Sequence, residues 1–324
     1  MPMSPARFAL PIAAILGALT GPAIAQNYPT GPITLVNPYA AGGPADSLSR
    51  IIMEPMPALL GQPLVLVNKP GGATAIAAAS VATAPKDGYT LLLSNASSHI
   101  VTPLLAKVNY DGIKDFEFIC MIASVPNVLV VREGLPAKSV KELVELAKAK
   151  PGTITYASVG NGSFPHIAGE LFQQMTGTKL NHVPYRGAAP ATVDLLSGQI
   201  DMGILNAPPL LEHIKTGKLR GLGIASLKRS EQLPDVATLD ELGLKGFNVV
   251  TWYAIAAPTG TPKPIVDKIA DAFQKALAMP DVKSKLALQG VETFYLSPKE
   301  YVAYLGTEAK TLADVIKTAN IKAD

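Results

Sequence analysis

The sequence has one cysteine, few aromatic residues and little net charge, and these shortages restrict the kinds of protein that it can be. The sole cysteine, Cys120, cannot form an internal disulfide, and the apolar residues around it at 118–122 predict a buried structural thiol. The formal net charge of +3 at pH 7 is not that of a nucleic-acid-binding protein. With aromatic residues at only 6%, the abundant Ala, Gly and Val favour closely packed, alternating strands and helices.

Long hydrophobic runs are also missing, apart from a short one near the N-terminus. Residues 1–25 carry one charge, Arg7, then an apolar run over 8–20, and they end in Ala23-Ile24-Ala25. We interpret residues 1–25 as a cleavable signal peptide. The apolar run is short for a membrane span and no later stretch approaches about 18 apolar residues, so an integral membrane protein is not expected.

The mature part predicts a two-lobed α/β fold. Apolar strands alternate with helical patterns over 33–107, which indicates a parallel, doubly wound sheet, and a second such unit covers 153–225. Two long apolar runs, 116–131 and 247–257, are interpreted as strands that cross between the lobes. The predicted boundaries are 26–125 with 253–324 for lobe 1 and 126–252 for lobe 2. Two crossing strands form a hinge around a ligand cleft.

Glycine- and serine-rich turns follow the predicted strands and are the candidate binding loops. The stretch 37–50, NPYAAGGPADSLSR, predicts a strand end, a turn with Gly42 and Gly43, and a helix start at Pro44. Free N–H groups at such a helix start favour a carboxylate or phosphate. In lobe 2, the turn 158–163, SVGNGS, offers several N–H groups and two hydroxyls at one helix start. The three turns of lobe 1, near 41–44, 69–73 and 94–99, are expected to converge on one rim.

Seven motifs follow one another along the chain: PYAAGG at 38–43 with Asp46, VNKPGG at 67–72, PKDGYTL at 85–91, SVGNGSFPH at 158–166, VPYRGAAP at 183–190, DLLSGQID at 194–201 and APTGTP at 257–262. Together and in this order they resemble the tripartite tricarboxylate transporter solute-binding proteins, also called Bordetella uptake gene receptors. The resemblance covers nearly the whole mature chain. It implies a type II-like periplasmic binding protein that closes on a small carboxylate and delivers it to a separate inner-membrane permease.

The resemblance and the turns together give the candidate ligand-binding residues, and no catalytic residue, metal ligand or cofactor is expected. The candidates are Tyr39, Ala41, Gly42, Gly43, Asp46, Ser94, Asn95, Ser97, Ser158, Gly160, Asn161, Gly162, Ser163, His166, Arg186 and Asn206. The expected partners are a small organic acid and, transiently, the permease. The expected state is a periplasmic monomer.

The sequence leaves two interpretations open for several side chains. Asp46 either satisfies N–H groups in the first helical turn or contacts ligand through water. Arg186 forms a bidentate pair with a second ligand carboxylate or a surface salt link. His166 faces the cleft or packs at a helix start, and Trp252 and Tyr253 belong to the core or line the cleft.

One position where the sequence departs from the family pattern bears on the ligand. Relatives often carry an acidic residue near position 205, where this chain has Leu205. That change disfavours an amino acid and predicts an acid with an apolar body, aromatic or aliphatic.

The rival function is a secreted hydrolase or transferase that holds an acidic substrate in the same loops. The chain lacks the G-x-S-x-G elbow of an α/β hydrolase and a G-x-G-x-x-G dinucleotide motif. None of its four histidines has a partner at the helical spacing of a zinc site. The receptor is therefore the favoured interpretation.

Overall fold

The computed structural model describes residues 28–185 and 187–322, so the predicted signal peptide lies outside the described residues. The strands in chain order are β1 Ile33–Asn37, β2 Leu64–Asn68, β3 Thr90–Ser94, β4 Phe116–Val125, β5 Asn127–Arg132, β6 Thr155–Ser158, β7 Asn181–Pro184, β8 Met202–Asn206, β9 Leu219–Ile224, β10 Thr251–Pro258 and β11 Glu292–Leu296.

The α-helices vary in length from one turn to 21 residues. They are α1 Pro44–Met53, α2 Met56–Leu60, α3 Ala75–Ala82, α4 Thr102–Leu105, α5 Val140–Ala149, α6 Phe164–Thr176, α7 Ala188–Ser197, α8 Leu211–Lys215, α9 Lys263–Ala278, α10 Pro280–Leu288 and α11 Pro298–Thr318. No helix in the described part of the chain is long and apolar enough to cross a bilayer.

Two sheets confirm the two-lobed fold. The sheet of lobe 1 has the order β11-β4-β10-β3-β1-β2, and that of lobe 2 the order β7-β6-β8-β5-β9. The first crossing takes place at Pro126, between β4 in one sheet and β5 in the other. The return is shorter than predicted, because the paired strand β10 begins at Thr251, and 247–250 carries no strand pairing.

Each sheet is mixed, which corrects the prediction of a parallel lobe. In lobe 1, β2 and β3 flank β1 in parallel, whereas β10 runs antiparallel to β3 and to β4. In lobe 2, β7 and β8 flank β6 in parallel, whereas β5 runs antiparallel to β8 and to β9. The edge strand β11 also runs antiparallel to its neighbour β4. Strands β10 and β5 are the two that arrive from the other lobe. They enter through the cleft end of the sheet and therefore run against the local strands.

Two predicted helices are divided or altered in the structure. The helix expected over 45–60 is α1 followed by α2, with the break at Glu54 and Pro55. Proline at 55 lacks the N–H that a continuous helix needs, and its ring would meet the carbonyl four residues before it. The helix expected over 97–107 begins as a π-helical turn, Ser97–Val101, before α4. Strand β11 was not predicted, because its residues lie at a sheet edge and are mostly half-buried.

The hydrophobic core connects the lobes through α11. One face of the lobe 1 sheet packs on α1, α2, α9 and α10, and one face of the lobe 2 sheet packs on α7. A third cluster contains residues of both lobes, for example Met121 on β4 and Ile167 on α6, together with Leu312 on α11. The C-terminal helix therefore supports both lobes from one side.

Candidate ligand-binding site

The first candidate loop has the predicted strand, turn and helix. Strand β1 ends at Asn37, Gly42 has a φ of +80°, and α1 begins at Pro44 without a side-chain cap. A left-handed φ of this kind favours glycine. Ala41 and Gly42 are exposed at the tip of the turn. The main-chain N–H groups of Ala41 and Gly43 have no hydrogen-bond partner among the described residues.

Asp46 is a structural carboxylate beneath this loop. It is buried, and its Oδ2 accepts the N–H of Gly42 at 3.1 Å and Nε of Arg50 at 2.9 Å. Its Oδ1 accepts Nδ2 of Asn68 at 3.1 Å. The hydrogen bond from Arg50 and the Gly42 amide lower the pKa of Asp46 to about 2. These contacts match the first of the two interpretations of Asp46, the satisfaction of N–H groups at the helix start.

The three turns of lobe 1 do converge on one rim. Asn68, at the end of β2, donates from Nδ2 to the carbonyl of Tyr39 at 3.0 Å as well as to Asp46. Asn95, just after β3, donates from Nδ2 to the hydroxyl of Tyr39, and its Oδ1 accepts the N–H of Ser98 at 3.1 Å. Burial raises the pKa of the Tyr39 phenol. Asparagine side chains therefore hold the loops together at the cleft edge.

The two serines proposed beside Asn95 have different surroundings. Ser94 is fully buried and its hydroxyl lies 3.1 Å from the hydroxyl of Tyr301 on α11. Ser97 is half-buried and begins the π-helical turn. Ser94 therefore occupies a core position, whereas Ser97 lies where the turn begins.

The second candidate loop follows β6. Ser158 is buried, and its Oγ accepts the N–H of Gly160 at 3.2 Å and lies 2.7 Å from Nε2 of His182. Gly160 and Gly162 have φ values of +127° and +71°. Ser163 caps α6, with its Oγ donating to the carbonyl of Gly160 at 2.6 Å and accepting the N–H of His166 at 3.4 Å. Asn161 is exposed between the two glycines.

The two loops are built alike around one glycine each. The N–H of Gly162 donates to Nδ1 of His166 at 3.0 Å, as the N–H of Gly42 donates to Oδ2 of Asp46. In both loops the acceptor is four residues further along, in the first turn of the following helix. These two amides already have a partner, so Gly42 and Gly162 shape the loops rather than supplying the first donors to a ligand.

The remaining candidates lie at the ends of other lobe 2 strands. Asn206 ends β8 and donates from Nδ2 to Oγ1 of Thr251 at 3.2 Å, which ties lobe 2 to the return strand β10. Arg186, after β7, lies outside the described residues.

The ligand argument from Leu205 is wrong. Its side chain is fully buried in the lobe 2 core with Val128 and Leu210, so it does not face the cleft. The alternation of strand β8 turns Leu205 inwards and leaves Asn206 half-buried at the strand end.

The lobes also touch through residues outside the two crossing strands. A Cβ built on Gly162 would lie 2.8 Å from Cδ1 of Leu105 on α4, so this glycine packs closely against lobe 1. On another side, Oε1 of Glu292 on β11 accepts Oγ of Ser230 at 2.6 Å and the N–H of Glu231 at 3.2 Å. The Glu292 contact lies beside the crossing, because Glu292 pairs with Ser124 near the end of β4.

Other residues singled out in the sequence belong to the core. Cys120 is fully buried, and burial raises the pKa of its thiol, which confirms the structural thiol. Trp252 is buried and donates from Nε1 to Glu308 at 2.7 Å, and Tyr253 packs in the lobe 1 core. His99 is buried with its Nδ1 2.7 Å from the carbonyl of Gly112, and burial lowers its pKa to about 4.

Sequence reasoning missed the residues that support the loops from behind. Asn68, His182 and Leu105 contact loop residues but were not among the candidates. Asn68 had a signal, because it belongs to the VNKPGG motif at 67–72. The other two contacts depend on packing between distant segments, which no local pattern shows.

Two surface cavities lie elsewhere. One of about 500 Å³ is formed by residues after β3 and on α11, including Leu104, Lys107 and Ile113. Another of about 360 Å³ lies beside Arg132 and Lys218. Neither is lined by a residue of the two candidate loops.

Comparison with known proteins shows the family of the chain. Residues 48–321 match the tripartite tricarboxylate transporter family receptor model. Protein BugT of Bordetella pertussis is 35% identical over 306 residues, which cover 94% of each chain. A TctC solute-binding protein from Polaromonas is 30% identical with a TM-score of 0.82, covering 90% of this chain and 99% of that one.

Two further solved structures are of similar proteins with a ligand. R. palustris Rpa4515 with adipate is 33% identical, with a TM-score of 0.74 and coverage of 92% and 100% of the two chains. MatC (Rpa3494) from Rhodopseudomonas palustris with bound malate is 31% identical, with a TM-score of 0.72 and coverage of 89% and 100%. The relatives are solute-binding proteins, which confirms the expectation of a protein that is not an enzyme. With a family match over most of its length, the chain belongs to the receptors of the tripartite tricarboxylate transporter family.

Proposed function

We propose that this receptor captures a small dicarboxylate between the loop at 38–43 and the loop at 158–163 and delivers it to a tripartite tricarboxylate permease. The observation that carries the proposal is the paired construction of the loops, one in each lobe, with Gly42 and Gly162 held by the helix that follows. Two relatives of the same fold bind adipate and malate, which are both dicarboxylates.

The ligand contacts come mainly from the main chain. Ala41 and Gly43 offer N–H groups at the start of α1, where the helix dipole favours an anion. Ser97 and Asn161 are the less buried side-chain candidates, and Arg186 is the candidate partner of a second carboxylate. Neutral amides bind an anion without leaving an uncompensated charge when the cleft is empty.

A second group of candidates acts through the shape of the loops. Its members have their side chains engaged within the protein: Tyr39, Asp46, Ser94, Asn95, Ser158, Ser163 and His166. Gly42, Gly160 and Gly162 contribute their left-handed backbone, and Asn206 contributes its bond to Thr251.

Closure is proposed to rotate two lobes about the crossing segments. Lobe 1 comprises 26–125 with 253–324 and lobe 2 comprises 126–252, with residues 1–25 as the export signal. Donors from both lobes on one ligand stabilise the closed state, which the permease recognises. The mature protein is a periplasmic monomer that meets the permease transiently.

Because Leu205 is buried, it does not indicate which acid binds, and the ligand has to be identified by experiment. The test is a thermal-shift screen with a panel of adipate, malate, succinate, citrate, benzoate and glutamate, here called the acid panel. A binder at 100 times its Kd adds about 2.7 kcal/mol to the free energy of unfolding. We expect stabilisation by at least one dicarboxylate. Stabilisation by none of the panel contradicts the proposed ligand class.

A further inference from the structure

We infer that His166 is a positioning residue that holds the lobe 2 loop through the amide of Gly162 and makes the geometry of this loop depend on pH. The inference deepens the proposed function and rests on it for its effect on the ligand. The loop contact itself is a property of the free protein and is tested separately.

The hydrogen bond fixes the tautomer of His166. The main-chain N–H of Gly162 only donates, so Nδ1 of His166, 3.0 Å away, must be the ring nitrogen without a proton. A proton added at Nδ1 places two donors face to face and breaks the bond. Imidazoles ordinarily titrate near pH 6.5, within the range of natural environments.

The groups around His166 act in opposite directions on its protonation. On the same helix, Oε1 of Glu170 lies 3.9 Å from Nε2 and favours the cation. On β7, the ring of His182 stacks on that of His166 with centroids 4.0 Å apart, so two cations here repel each other. On β6, Tyr156 stacks on His182 and donates its hydroxyl to Glu170 at 2.5 Å. Arg186, which follows β7 in the chain, lies outside the described residues.

Both histidines contact the loop at 158–163, so protonation of either ring acts directly on this loop. His182 lies 2.7 Å from Oγ of Ser158, which accepts the N–H of Gly160. His166 holds Gly162 on the other side of Asn161. The stacked pair therefore supports both glycines that shape the turn.

The equivalent bond in lobe 1 does not respond to the same change of pH. Its acceptor is the carboxylate of Asp46, whose pKa is lowered to about 2 by Arg50 and the Gly42 amide. Between pH 6 and 8 this acceptor stays ionised. The two loops thus have the same construction, but only the one in lobe 2 uses an imidazole as acceptor, a group whose ordinary pKa lies near neutrality.

Two substitutions of His166 by amide residues distinguish the effect of the position of the acceptor from the effect of a polar side chain. In His166→Asn, the side-chain oxygen is as many bonds from the backbone as Nδ1 and can accept the N–H of Gly162. In His166→Gln, the amide group is one bond farther, at the reach of Nε2. Neither side chain titrates, and both keep a polar group in the first turn of α6.

The first readout is the ¹H–¹⁵N signal of the Gly162 amide in the free protein between pH 8 and 6. We expect it to move with pH in the wild type, to stay at the bonded position in His166→Asn, and to lie at an unbonded position at every pH in His166→Gln. The Gly42 amide is the internal reference and stays constant. A wild-type Gly162 signal that does not move, or that moves equally in His166→Asn, overturns the inference.

The second readout is the affinity for the tightest dicarboxylate of the acid panel over the same pH range, in which both carboxylates of adipate and malate remain largely ionised. Loss of one hydrogen bond predicts about three- to tenfold weaker binding at pH 6 than at pH 8 in the wild type. Binding by His166→Asn is expected to vary little, and His166→Gln to be weak throughout. Equal affinity of all three proteins overturns the role of His166 and leaves the receptor function standing. If no acid binds the wild type, the proposed ligand class fails, and the Gly162 signal still decides whether His166 positions the loop.

Discussion

Gly162 of lobe 2 and Leu105 of lobe 1 lie against each other, and a Cβ on Gly162 would come within 2.8 Å of Cδ1 of Leu105. The same glycine donates its N–H to His166 within the candidate loop. One residue therefore belongs both to the loop proposed to bind the ligand and to a contact between the lobes. We propose that this arrangement connects ligand binding to closure.

Replacement of Gly162 by alanine is expected to weaken binding more than it weakens the fold. A φ of +71° costs a non-glycine residue about 1–2 kcal/mol, and the new methyl group also meets Leu105. We predict a loss of about 1–2 kcal/mol in the free energy of unfolding, measured by urea denaturation, and at least tenfold weaker binding.

Gly177→Ala is the matched control for this variant. Gly177 ends the same helix, α6, with a φ of +63° and open space around its Cβ position. It should lose similar stability and keep its affinity. Equal affinities of Gly162→Ala and Gly177→Ala would argue against the loop as part of the site. Leu105→Ala combined with Gly162→Ala should recover the steric part of the loss.

Glu308→Gln is expected to stabilise the protein at alkaline pH. Burial raises the pKa of Glu308 to about 8, while its carboxylate accepts Nε1 of Trp252. A carboxyl with a raised pKa keeps its proton in the folded state, so stability is greatest below the unfolded pKa of about 4.3 and falls as pH rises towards 8. Glutamine keeps an acceptor for Trp252 without a charge.

The measurement is urea unfolding of both proteins at pH 5 and pH 8. We predict a gain on the order of 1–3 kcal/mol for Glu308→Gln at pH 8 and little difference at pH 5. Glu145→Gln, at an exposed position on α5, is the control and should show no such change. A variant less stable than the wild type at pH 8 and equal to it at pH 5 would mean that the charged form of Glu308 stabilises the fold.

Glu292→Ala is expected to loosen the packing of the two lobes beside the crossing, where Glu292 pairs with Ser124 on β4. Glu292 joins lobe 1 to Ser230 and to the N–H of Glu231 in lobe 2, and burial raises its pKa. Without this carboxylate the free protein should have a larger radius of gyration by small-angle scattering, and ligand should compact it. Glu231→Ala keeps the main-chain donor and is the control. An unchanged radius in Glu292→Ala, with or without ligand, would speak against hinge closure at this contact.

The local sequence pattern predicted an element of the fold well where an apolar run, a glycine or a proline determines the local backbone structure. The strand 33–37 and the helix start at Pro44 were predicted from an apolar run followed by two glycines and a proline, and both are present. The break at Pro55 was missed, because the apolar periodicity continues across it. The antiparallel direction of β5 and β10 depends on which end of a sheet a strand enters, which is a property of topology rather than of local sequence.

The candidate site was predicted less completely than the fold. The two glycine-rich loops were located by their sequence, but the partners of their amides were not. Asp46 and His166 lie four residues after Gly42 and Gly162, a spacing that could have suggested these contacts. The inward position of Leu205, by contrast, was not predicted. Neighbouring residues of a strand point to opposite faces, so near a strand end one residue lies in the core and the next lies at the rim.

A crystal structure of the protein with the tightest binder of the acid panel tests the central claim most directly. The account predicts a ligand carboxylate within hydrogen-bond distance of main-chain amides at 41–43 and of the loop at 158–163, with both lobes in contact with the ligand. A ligand bound to one lobe only, or in the cavity beside Leu104 and Lys107, would contradict it.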